Sequence, residues 1–262
     1  MANVNLTQAL ATEYKELFIT LEVDQNRFAE VDHIVSRVMS NKAQYEAVAA
    51  GVNAPWFFVA AIHNMESGLR MDRHLHNGDP LRARTRQVPA NRPAAGEPPF
   101  SWEESALDAL QLRKIDAVNS WSLERILYEL EGYNGWGYRK YHSHVKSPYL
   151  WSFCNHYQRG KYVADGTWSD NASSRQCGAA VIIKRLEQQG EIAALSVQFK
   201  KHDVPLRYSN RKLRRSEDLQ RFLNTFPGIS VRVDGTPGQK TSDAVNRVLG
   251  FHLKDDPRFP DA

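Results

Sequence analysis

The sequence predicts a mainly α protein: a helical domain carrying a small β-hairpin, followed by a small helical module at the C-terminal end. Three observations predict it. Six segments before residue 190 repeat apolar side chains at spacings of three and four. One stretch, residues 69–88, alternates polar and apolar residues about an Asn-Gly-Asp-Pro cluster. A basic run at residues 200–221 separates the last of these helices from a tail with two further helical patterns. The expected division is a large domain over 1–200, with an N-terminal helical segment to residue 50, and a basic linker with a small module over 201–262. The 262 residues suffice for one substantial core plus a minor one.

The first two helices are expected over Thr7 to Leu21 and Asn26 to Ala50, the second with Phe28, Val31, Ile34, Val35 and Val38 on one stripe. Pro55 then opens PWFFVAAIHNMES, where proline suits a first helical turn and apolar residues run nearly all round. Such a helix is buried, and Glu66 stands at its end. From Leu69 to Val88 the period is lost, and the segment reads as a β-hairpin or a long structured loop. QVPANRPAAGEPPF is Pro-rich and irregular. Ser101 and Glu104 form a capping-box pattern opening SWEESALDALQL, a further helix runs from Ser122 to Glu131 and stops at Gly132, and Gln176 to Gln189 is the last helix of the large domain.

Composition excludes some functions. No window approaches the roughly 20 apolar residues of a membrane span, and the start, MANVNLTQALATEYKELF, has neither the basic nor the apolar region of a secretory signal. The expected chain is made in the cytoplasm and would act outside it only after release or delivery. The two cysteines, Cys154 and Cys177, rule out a disulfide framework and admit one bridge. The net charge of +4 is concentrated in the basic run, which suits a solvated linker or an anionic wall surface. That run lacks the interleaved aromatics of single-strand binders, so nucleic acid is the least suited partner.

IHNMESGLRMDRHLHNGDPLRART, residues 62–85, gathers the titratable groups. Cleaving a glycosidic bond near neutral pH requires a carboxylic acid that keeps its proton, and an apolar setting supplies that. Glu66, after FFVAAIHNM, has such a setting. A second carboxylate must act on water or as nucleophile; Asp79 and Asp72 are near in sequence and Glu131 is distant. Downstream, Tyr133, Trp136, Tyr138, Tyr149 and Trp151 suit a core or the walls of a carbohydrate cleft, and His76 would stand beside them.

These motifs, MES at 65–67, HLHNGDPL at 74–81, GYNGWGY at 132–138 and SPYLW at 147–151, resemble in their order the lysozyme-like superfamily over about residues 50–190. MES is similar to the Glu-Ser that ends the catalytic helix of goose-type lysozymes and lytic transglycosylases, which implies Glu66 as proton donor. GYNGWGY looks like their substrate-contacting segment, which implies Tyr133, Asn134 and Tyr138 as substrate-binding, with Tyr149, Trp151 and His76 nearby. Phage-type lysozymes place an aspartate and a threonine six apart after the glutamate, as Asp79 and Thr85 stand here, to activate water. If the chain turns at Asn77-Gly78 these two lie about 20 Å apart on one strand; a turn around Pro80 to Arg82 brings them together. DLQRFLNTF and VRVDGTPGQKTSDAV resemble the small peptidoglycan-binding domain, with Asp234 and the glycines shaping a turn and Thr241 capping the next helix.

The resemblance implies a monomeric, cofactor-free peptidoglycan hydrolase of muramidase type, such as a phage endolysin, with bacterial peptidoglycan as partner. Lytic transglycosylation, which needs no water-activating carboxylate, is the nearest alternative. A zinc peptidase built on His63, Glu66, His74 and His76 is a rival, and a wall-binding protein without catalysis is another.

Overall fold

The computed structural model describes residues 4–164, 166–195, 207–213 and 215–259. Two units divide the chain, Met1–Gln198 and Phe199–Ala262. Residues 200–206 and 214 of the basic run lie outside the described residues.

In the first unit α1 (Gln8–Ile19) is capped by the Thr7 hydroxyl, which accepts from the Leu10 amide. The long second helix of the sequence reading is two. α2 (Phe28–Ser40) buries Val31, Val35 and Val38, and α3 (Lys42–Val52) buries Tyr45, Val48 and Val52. The break falls at Asn41, whose side-chain amide donates to the Arg37 carbonyl at 2.9 Å. Such local side-chain bonding competes with the helical ladder, while the apolar period runs on unbroken across it. Phe28 remains partly exposed beneath the Arg185 guanidinium, at 5.2 Å.

Asn53 takes a left-handed conformation at the end of α3, and after it α4 (Trp56–Ser67) departs at 110°. Pro55 is its N-cap rather than part of the first turn. As expected of a helix apolar all round, α4 is central: Phe57 to Asn64 are all buried, and it packs against α3, α6 (Leu123–Asn134) and α9 (Ala179–Gln188). α5 (Trp102–Leu112) opens on the expected capping box, with Ser101 and Glu104 bonded reciprocally. α6 runs three residues past its expected end. Two short helices, α7 (Gly137–Tyr141) and α8 (Pro148–Trp151), follow.

The small β-hairpin is antiparallel, β1 (Lys161–Ala164) with β2 (Thr167–Ser169), and so lies far along the chain from the expected site at 69–88. The signal for it was the Asp-Gly of VADGTW, a strong two-residue hairpin cue. Residues 69–88 form the structured loop instead, with a single bridge between Arg73 and Pro80. Their polar side chains bond to the loop's own backbone, so no second strand is needed. Among the described residues no single helix is long and apolar enough to cross a membrane.

The second unit holds α10 (Ser216–Leu223) and α11 (Gln239–Leu249) around Leu219, Leu223, Val231, Ala244, Val245 and Leu253. Its centre is the Gln220 amide. The carbonyl oxygen accepts from the Asp234 and Gly235 amides at 3.0 and 2.8 Å, and the nitrogen donates to Asp234, the Thr236 carbonyl and Thr241. Thr241 is thus not the cap expected of it: Gly238 holds that position, and the Thr241 hydroxyl lies one turn inside, bonded to Gln220. Asn224 makes a similar pair with the Val231 backbone.

Candidate active site

The last turn of α4 carries carbonyls with no helical partner. The Asn64 carbonyl accepts the Gly68 amide at 3.1 Å, and a distant part of the chain adds to it: the Gln176 side-chain amide donates to the Asn64 and Met65 carbonyls at 2.8 and 2.7 Å, and the Asn64 side-chain amide donates to the Cys177 carbonyl. Gly68 then ends the helix in a left-handed conformation. Glu66 is thereby fixed on a braced helix end.

Its carboxylate accepts a hydrogen bond from the Tyr149 hydroxyl, with Oε1 at 3.0 Å. Burial pushes the Glu66 carboxyl up to about 7, outweighing the Tyr149 bond and the nearby Arg113 charge, both of which favour ionisation. Burial raises the Tyr133 and Tyr149 phenols and the nearby Glu66 charge raises them further, so both rings stay protonated. Arg113, at the end of α5, stacks over Tyr133 with its guanidinium carbon 4.9 Å from the ring centre. Sequence gave no cue to Arg113 or Gln176, because neither belongs to a motif or an apolar stripe.

The loop after α4 folds back on the same turn. A β-carbon added at Gly78 would lie 3.3 Å from the Glu66 carbonyl oxygen, and Gly78 has φ +78°, so glycine suits both the closeness and the conformation. Asp79 follows. Its Oδ2 accepts from the Arg86 and Gln87 amides at 2.8 and 3.2 Å and from the Asn77 side chain at 3.2 Å, and these bonds hold the carboxyl below its ordinary range. The Ala83 amide bonds to the Pro80 carbonyl, so a second turn lies between Asp79 and Thr85 and they do not share a strand. Residue 86 is consequently in contact with Asp79. Thr85, however, is buried, with its hydroxyl donating to the Pro89 carbonyl and accepting from the Arg92 amide; it clamps the 85–92 loop.

Other expected site residues stand elsewhere. The His76 side chain is 1% exposed, with Nε2 2.7 Å from Asp108, which removes it from substrate contact. Trp151, also 1% exposed, belongs to the core beside His156. Tyr138 packs against Tyr162 and Trp168 of the hairpin. Asn134 is exposed at the end of α6, next to Tyr133. Of the alternative carboxylates, Glu131 is buried between Tyr14 and Arg139, at 2.6 and 2.8 Å, and Asp72 is exposed beside Arg70 and Arg73.

The histidines of the zinc reading are held by separate partners. His63 shares a hydrogen bond with Tyr45 through Nδ1 at 2.9 Å, and burial lowers it to about 4. His74 spans Ser105 and the Ala83 carbonyl, each at 2.8 Å. Among the described residues, no group of three His, Cys, Asp or Glu side chains is placed to hold a metal ion. Cys154 and Cys177 are free and buried.

Asp108 pins the loop to α5. Besides His76 it receives a two-pronged Arg92 contact, at 2.8 and 2.7 Å, and the Ala94 amide. Removing it strands a mostly buried arginine, so Asp108→Ala is expected to cost about 2 kcal/mol. Urea unfolding should show that loss, together with faster proteolysis within residues 84–99; an unchanged midpoint would contradict the role.

No family model, curated protein or solved structure matches the chain, and its functional reading rests on the surroundings of Glu66.

Proposed function

We propose that the first unit is a peptidoglycan hydrolase of lysozyme-like, muramidase type, with Glu66 as proton donor and the C-terminal unit as a wall-binding module. One observation carries the reading: a glutamate on a braced, half-buried helix end, held by a tyrosine hydroxyl, whose carboxyl is pushed up to about 7 by desolvation. At neutral pH a large fraction of Glu66 retains its proton, which passes to the glycosidic oxygen as the C1–O bond breaks. Asp79, held ionised by its amide bonds, is the partner that directs water to the sugar's C1. Tyr149 holds the Glu66 carboxyl, Tyr133 lies close to it, and the exposed Asn134 beside Tyr133 is the proposed substrate contact. The protein acts as a monomer, without a cofactor, once released or delivered to the wall.

Lytic transglycosylation is the second reading, favoured by one detail: Asp79 already spends Oδ2 on three donors. The sugar's own 6-hydroxyl then replaces water, and Glu66 serves as both acid and base. Purified peptidoglycan incubated with the protein should lose turbidity, and mass spectrometry of the soluble fragments should find reducing ends. Anhydro ends would transfer the assignment to transglycosylation. Wall that is bound and never cleared would leave only the binding role.

A further inference from the structure

Arg113 closes α5 through its backbone amide, which bonds to the Ala109 carbonyl, and that alone is an ordinary role for a residue at a helix end. Its side chain does something else. It is exposed, and no carboxylate is paired with it among the described residues. The guanidinium is spread over the Tyr133 ring at 4.9 Å, near enough to Glu66 for its charge to favour ionisation of that carboxyl. Stacking on an aromatic ring restrains the side chain and leaves the N–H edge of the guanidinium open. A planar fork of that kind matches a carboxylate in two-pronged geometry.

We infer that Arg113 is a specificity-determining residue, receiving a carboxylate of the bound glycan strand and so selecting anionic peptidoglycan over neutral chitin-like polymers. The inference rests on the hydrolase reading for the identity of the strand. The carboxylate has two sources in such a polymer, the lactyl group of the muramic sugar when the stem peptide is absent, and the stem peptide itself. Either brings the same charge to the same fork. Arg113 also stands within electrostatic reach of Glu66, and a bound carboxylate beside it would offset the cation that favours Glu66 ionisation, keeping the proton donor charged with its proton.

The test is binding, measured by calorimetry on the full chain carrying Glu66→Gln so that no ligand is consumed. Three tetrasaccharides are compared: chitotetraose, the peptide-free muramic glycan with free lactyl carboxylates, and the same glycan with stem peptides. The protein with Arg113 is expected to prefer at least one acidic ligand over chitotetraose by about tenfold or more, the range of a charge-assisted two-pronged contact. Arg113→Gln should collapse that ratio to near one, and Arg113→Lys should retain part of it. The acidic ligand that loses its advantage identifies the carboxylate. A ratio near one with Arg113 present, a ratio that survives Arg113→Gln, or no binding of any ligand overturns the inference. An Arg113-dependent ratio in a protein whose wild type never cleaves wall would instead sink the hydrolase reading and leave this one standing.

Discussion

Glu66→Gln is expected to lower the rate of peptidoglycan clearance by about 10²- to 10⁴-fold, the usual contribution of a positioned general acid. The substitution keeps the shape and still accepts the Tyr149 hydrogen bond, so the loss isolates the proton. The pH profile carries a second signature. With the Glu66 carboxyl near 7, wild-type kcat/KM should fall about tenfold per pH unit above that value, whereas the residual rate of the variant should lack this limb. Clearance by Glu66→Gln at the wild-type rate would remove Glu66 from the mechanism.

The same substitution should also stabilise the fold, by an amount that depends on pH. Burial raises Glu66 from its ordinary 4.5 to about 7, so the folded chain holds that proton where the unfolded chain releases it. The stability this contributes is complete below pH 4.5 and is lost as pH rises through 7. Glutamine has no proton to lose. The unfolding free energy of Glu66→Gln minus that of wild type should therefore grow between pH 4.5 and 7 by on the order of 3 kcal/mol.

His63, one turn earlier on α4, works in the opposite sense. Lowered from 6.5 to about 4, it contributes stability that is complete above pH 6.5 and is lost as pH falls toward 4. In wild type the two slopes oppose each other between pH 4.5 and 6.5; in the variant the His63 slope stands uncovered, and stability should rise with pH. Urea unfolding of both proteins across this range measures the difference. A difference that shrinks with pH would mean that the Glu66 carboxyl is not desolvated.

The part of this site that was legible in the sequence is the part that is local. PWFFVAAIHNMES announces a buried helix with an acid at its end, and Ser101 with Glu104 announces a cap, because both signals act within one or two turns. The groups that brace and tune Glu66 act across the chain: Tyr149 is 83 residues away, and Gln176 reaches Met65 across 111. No periodicity encodes such a meeting. The loop at 69–88 misled for a different reason. Its polar-apolar alternation is that of a strand, yet Asn77, Asp79 and Thr85 carry enough hydrogen-bonding capacity to satisfy the backbone without a neighbour. At Asn41 the sequence period passed through a break that one side-chain amide makes. The Asp79 and Thr85 spacing was legible, and the second turn between them is present, but the Thr85 hydroxyl is used inside the loop.

The arrangement around Gln220 bears on how the C-terminal unit is to be studied. The residues that make its motif noticeable are turned inward: Gln220 and Thr241 are buried, and Asp234 and Gly235 are read by a single amide. They form the grammar of the fold and leave its vocabulary of contacts to other positions. Under the proposed wall-binding role, alanine at Gln220 is expected to abolish adhesion by melting the unit, a false positive in any adhesion screen. A test of the proposed binding should start from side chains outside the motif.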